Sequence, residues 1–230
     1  MNPFKKTMAL GGCLAALVCT PALAQYDNDA RVGIYFVFYH TSANDVQGPF
    51  VPPGVTADAK NLVTAYAAYV RRLSPHFVME FAAGYPPTAD TIGKGPEKLG
   101  SVPWNTVKVG SVKWFSPSVL LEYMFFDESQ PLRPFVGAGL NYTHFYDRNI
   151  NAAGDAALGG PTRVQLKNSI GPAGTLGLRY QVMDHWHAAL SFSAAQVETK
   201  LTAYTDGLVR RSNRVNFDPQ TIVLSAGYSF

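Results

Sequence analysis

Apolar and polar positions alternate with a period of two along much of this chain, from Arg31 to the last residue, Phe230. Val136, Ala138, Leu140 and Tyr142 fall on one side of a zigzag, with Gly137, Gly139, Asn141 and Thr143 on the other. Leu176, Leu178 and Tyr180 oppose Thr175, Gly177, Arg179 and Gln181. Trp186, Ala188, Leu190 and Phe192 oppose His187, Ala189, Ser191 and Ser193. The last segment sets Ile222, Leu224, Ala226, Tyr228 and Phe230 against Thr221, Val223, Ser225, Gly227 and Ser229. Side chains of a strand point alternately to its two faces, so this period predicts strands. Eight are predicted, at about 31–40, 60–72, 77–87, 114–126, 134–147, 167–182, 186–204 and 213–230.

One apolar face and one small or polar face would equally suit a soluble sandwich. The links between the segments separate the two. Long links at 41–59, 88–113 and 148–166 alternate with short ones at 73–76, 127–133 and 183–185, and 205–212 is intermediate. Outer-membrane barrels have short periplasmic turns and longer extracellular loops, whereas a sandwich has no reason to put every long loop at one end. Leu73-Ser74-Pro75-His76 and Met183-Asp184-His185 are compact polar breaks. Tyr123, Phe125, Tyr142, Tyr146, Trp186, Tyr228 and Phe230 fall near predicted strand ends, as interfacial girdles do. The expected fold is all-β, an eight-stranded antiparallel transmembrane β-barrel with both ends in the periplasm.

The first residues fit that destination. Met1 to Lys6 is basic, Met8 to Cys19 is apolar, and Thr20-Pro21-Ala22-Leu23-Ala24 precedes Gln25, which predicts a secretory leader cut after Ala24. The expected division is a signal peptide at 1–24 and a barrel at 25–230. The apolar run falls short of the roughly 20 residues a spanning helix needs. Leu10-Gly11-Gly12-Cys13 looks a little like a lipidation box, but cleavage there would strand half of the apolar run on the mature chain. Processing removes Cys13 and Cys19, the chain's 2 cysteines, and with them any disulfide framework or thiol chemistry. The 19 basic residues lose Lys5 and Lys6, leaving 17 against 16 acidic ones, so a nucleic-acid partner is not expected. Charged residues make up 15% of the chain, below the roughly 25% of soluble domains, so some of its surface does not face water.

Leu132-Arg133-Pro134-Phe135-Val136-Gly137-Ala138-Gly139-Leu140-Asn141-Tyr142 resembles the R-P-Y-V-G-A-G-x-N-Y strand of the OmpW family of eight-stranded outer-membrane proteins. The likeness continues at Ser116-Pro117-Ser118, Lys167-Asn168-Ser169, Gly171-Pro172-Ala173-Gly174, Asp218-Pro219 and Ser225 to Phe230. The first hairpin and the loops depart from the family pattern. The resemblance implies passive uptake of small hydrophobic molecules through a narrow lumen. That lumen would be blocked towards the periplasm, with an apolar outer half able to open sideways into lipid.

If Phe77, Met79, Phe81, Ala83 and Tyr85 face lipid, Glu80 points into the barrel, as do Glu122, Asn141 and Arg179 by the same parity. Side chains just fill an eight-stranded barrel, so Glu80, Glu122, Asn141 and Arg179 are expected to form a buried network plugging the lower lumen. Phe50, Val51 and Trp104 are the candidate residues for admitting solute. Ile222, Leu224, Tyr228 and Phe230 are expected to face lipid and to serve as the C-terminal assembly signal for the barrel-assembly machinery. The partners expected are outer-membrane lipid, small apolar solutes and that machinery. No metal or cofactor is expected: His185 and His187 share a strand face without a third ligand, and read as solvated rim histidines. Two alternatives stay open. His40-Thr41-Ser42, with Asp45, has the spacing of a lipid-modifying hydrolase, since a nucleophilic serine needs a base within reach. A barrel whose loops bind partners without transport is the other.

Overall fold

The computed structural model describes residues 27–230. The expected leader, 1–24, lies outside the described residues. Eight strands close into an antiparallel barrel: β1 (Asn28–Tyr39), β2 (Leu62–Arg72), β3 (Phe77–Gly84), β4 (Ser118–Met124), β5 (Leu132–Ile150), β6 (Ser169–Gln181), β7 (Trp186–Ala195) and β8 (Pro219–Ser229). Each pairs with its neighbours in sequence, and β1 closes the ring on β8 in a register running from Asp29 opposite Ser229 to Tyr39 opposite Pro219. Asn28 and Phe230 exchange backbone hydrogen bonds at the end that carries the short turns. A closed sheet leaves no ladder edge unpaired, which hydrocarbon requires.

The outward side chains are apolar and exposed on every strand: Val32 and Ile34, Val63, Phe81, Leu121, Val136 and Leu140, Leu176, Leu190, and Ile222 and Leu224. An apolar girdle of this extent is tolerable only against acyl chains, because water-soluble monomers rarely expose patches beyond a few hundred Å². At the short-turn end, outward rings meet in pairs, Tyr123 with Phe125 at 5.0 Å and Trp186 with Tyr228 at 5.1 Å between centroids.

The long links are largely strand rather than loop. β5 runs for 19 residues, or roughly 60 Å, about twice the thickness of a hydrocarbon core. Above the membrane the barrel wall divides into two lobes. One is built from Thr56–Ala59, Thr88–Lys94, Lys108–Phe115 and the top of β5. The other is built from Thr162–Leu166, Glu198–Thr205, Val209–Asn216 and Ser42–Ala43. The predicted single strands 186–204 and 213–230 therefore break, at Gln196–Val197 and Phe217–Asp218, where the wall passes from the membrane barrel into the second lobe. Asp218 has φ 34, and Pro219 has no N–H to give to the ladder. A short helix, Ala152–Leu158, sits between the lobes, capped by the Asn151 side chain on the Gly154 N–H.

Candidate functional site

The inward faces meet in three levels. Nearest the short turns is an apolar layer of Val70, Val78, Met124 and Phe135. Arg133 ties the turns beneath it, with Nη2 donating to the carbonyls of Pro75 at 2.8 Å and Phe126 at 3.0 Å.

Two residues further up is a layer of charge. Arg31 Nη1 donates to Glu80 Oε2 at 2.8 Å, and Arg31 Nη2 lies 3.8 Å from Asp29 Oδ2. Asp29 Oδ2 in turn forms an ion pair with Arg179 Nη1 at 3.0 Å. Arg179 Nη2 lies 3.2 Å from His187 Nδ1 and donates to Ser229 Oγ at 3.1 Å, while Tyr66 donates to Glu80 Oε1 at 3.2 Å. Two acids and two guanidiniums thus alternate across the lumen, the pairing that lets charge persist away from water. Glu122 is 1% exposed among these groups, yet neither of its carboxylate oxygens has a hydrogen-bond partner among the described residues. Glycine on the facing strand makes room for His187: a Cβ on Gly227 would lie 2.2 Å from its Nε2.

Above the charge layer is a cavity of about 190 Å³, room for more than ten waters at roughly 10–15 Å³ each. Its lining is apolar, hydroxyl and amide apart from Asp58, Glu80 and Arg148. An aromatic cluster forms its upper wall, with Tyr39 edge-on to Trp114 at 5.7 Å and Phe145 at 5.9 Å from Phe217. The cavity also reaches a break in the wall. The ladder between β3 and β4 ends at Ala82 opposite Ser118 and resumes at Thr88 opposite Lys113. Pro86, Pro87 and Pro117 lie in the interval, so three backbone donors are missing there.

The structure thus brings Glu80, Glu122 and Arg179 to one level but sets Asn141 apart. Its amide braces the kink above β4, donating to Ser116 Oγ and Ser118 Oγ at 3.0 Å each and accepting from Thr143 Oγ1 at 2.9 Å. Asn141 lies four residues up β5 from Gly137, the partner of Glu122, so it cannot join the charge layer. Asp29, Arg31 and His187 complete that layer and were not among the expected residues. Parity could have found them, because Val32 and Ile34 facing out put Arg31 and Asp29 inward. His187, taken for a solvated rim residue, is 2% exposed inside the network; His185 is the one at the rim, its Nδ1 2.8 Å from the Ser229 carbonyl.

The three candidate admission residues do not line the cavity. Phe50 is 91% exposed at a loop tip, Val51 packs into the loop core, and Trp104 is 4% exposed between Val55 and Val109 with Nε1 donating to the Lys94 carbonyl at 3.2 Å. Trp104 is held inside by its own loop, whose small core needs a large apolar side chain. Ile222, Leu224, Tyr228 and Phe230 all point outward. His40 and Ser42 are exposed with no hydrogen bond between them among the described residues, and Asp45 accepts from the Gly54 N–H instead.

The OmpW family profile matches residues 95–230. Outer membrane protein W of Vibrio cholerae is 30% identical over 98% of this chain and 100% of its own length. Among solved structures, the outer membrane protein OprG from Pseudomonas aeruginosa aligns with a TM-score of 0.79 at 22% identity, covering 89% of this chain and 96% of that one. The outer membrane protein AlkL, solved in lipid bilayers, aligns at 0.64 with 20% identity over 94% of this chain and 97% of that one. At these identities the structures speak for the fold.

Proposed function

The chain belongs to the OmpW family of outer-membrane proteins, and from that premise we propose that it carries small hydrophobic molecules passively across the polar face of the outer membrane. The observation that carries this reading is an apolar cavity with a charged floor beneath it and a proline-broken wall beside it. A solute entering between the lobes exchanges water for the rings of Tyr39, Trp114, Phe145 and Phe217. Burial of apolar area stabilises it there by about 25 cal/mol per Å². Passing on towards the periplasm would mean parting the Arg31–Glu80 and Arg179–Asp29 pairs and then the apolar layer below them. Leaving sideways at Pro86–Pro87 exposes the solute only to acyl chains. The process needs no catalysis and no cofactor. A leader at 1–24 removed on export, and recognition of the outward C-terminal residues by the barrel-assembly machinery, belong to the same proposal.

The test is uptake by cells lacking their own proteins of this family, with and without this chain. Expression is expected to speed entry of a radiolabelled apolar solute and to leave entry of a sugar of similar size unchanged. Equal acceleration of both would point to an aqueous pore instead.

A further inference from the structure

The two lobes above the membrane differ in how they treat their lysines. On Thr88–Lys94 and Lys108–Phe115 every lysine has an acidic partner: Lys94 with Asp58 at 3.5 Å, Lys108 with Asp90 at 2.7 Å and Lys113 with Asp147 at 2.7 Å. On the outer face of the second lobe, Arg163, Lys167, Lys200, Arg210 and Arg214 are exposed, and only Arg214 has an ion-pair partner among the described residues, Glu198 at 2.9 Å.

Register gathers these cations. Lys167 donates its backbone N–H to the Lys200 carbonyl at 3.3 Å, and Lys200 stands directly opposite Arg214, so one row crosses three neighbouring strands. Higher up, Arg163 and Arg210 flank Tyr204 from either side. Adjacent strands lie about 4.8 Å apart, and like charges directly opposite one another are destabilising unless an anion lies between them. Glu198 is the one carboxylate on these strands, against five outward cations; the other acid of the lobe, Asp206, lies in the hairpin turn beside Gly160.

Height names the anion. Lys167 is three residues beyond Ile170, the outermost exposed apolar side chain of β6 at 71% exposure. At about 3.3 Å per residue and a tilt near 40°, it stands roughly 7–8 Å above the acyl region. That is the depth of the headgroup layer, which adds about 5–8 Å on each side of the hydrocarbon. We propose that the outer face of this lobe binds a multiply phosphorylated lipid headgroup of the outer leaflet, with Lys167 and Lys200 as its main contacts. The proposal does not depend on transport. Loss of solute uptake would leave it standing, and loss of lipid binding would leave the uptake reading standing.

The experiment measures binding of bis-phosphorylated lipid A to the purified full-length protein in a zwitterionic detergent, by thermophoresis, with folding of each variant checked by heat-dependent gel mobility. Lys167→Gln/Lys200→Gln is expected to weaken binding on the order of thirtyfold, at about fivefold per cation near a membrane surface. Lys108→Gln/Lys113→Gln, whose lysines already hold aspartates, should shift it by less than about twofold. Equal weakening by both variants, or none by the first, would overturn the proposal. So would equal binding of dephosphorylated lipid A, or displacement by inorganic phosphate as effective as by the lipid.

Discussion

Arg31 shows how much of the charged floor rests on one side chain. It lies between Glu80 and Asp29, 2% exposed, and links the acid on β3 to the acid it shares with Arg179. Removing one member of a buried pair leaves the other without compensation, at a cost of about 3–5 kcal/mol, whereas replacing both by apolar groups is often close to neutral. Arg31→Met alone is therefore expected to lower stability in urea by about that amount, and Arg31→Met/Glu80→Met by less than either single change predicts. Additive losses in that double-mutant cycle would show that the two do not work as a pair. The unpartnered carboxylate of Glu122 lies in the same layer, opposite Gly137, the glycine strand on which the family resemblance is densest.

At the scale of elements, the ladder between β3 and β4 is interrupted from Ala82 to Thr88, where three prolines withhold donors. Pro86→Ala/Pro87→Ala restores two backbone donors opposite Phe115–Pro117. Apolar uptake is expected to slow severalfold while stability holds or rises; unchanged or faster uptake would mean solute does not leave by this seam. The membrane strands were legible in the sequence because hydrocarbon enforces one apolar face. Val136, Leu140, Leu176 and Leu224 mark it at every second residue. The same rule assigned Glu80, Glu122 and Arg179 to the lumen. It failed above the bilayer, where water on the outer face removes the requirement for apolar side chains. Lys108-Val109-Gly110-Ser111-Val112-Lys113 then reads as loop although it is strand. Parity gives a direction but not a height, which is why Asn141 was placed in the charge layer. Exposure of a loop aromatic is not written in its spacing either, and so Trp104 was expected to meet solute when it holds its own loop together.

For the whole molecule, three environments are stacked along the lumen: an aromatic-lined cavity, a charged floor and an apolar base closed by Arg133; in the proposed function they set the direction of traffic. The protein is fixed in the outer membrane by its apolar girdle, with the lobes rising beyond the lipid. The most direct measurement is to irradiate the reconstituted protein with an apolar solute that carries a diazirine, and to map the adducts by mass spectrometry. Adducts should fall on cavity residues such as Tyr35, Leu120 and Trp114 and at the seam around Tyr85–Pro87. Adducts on the inward side chains of Val70, Met124 and Phe135, below the charges, would contradict a sealed floor and a sideways exit.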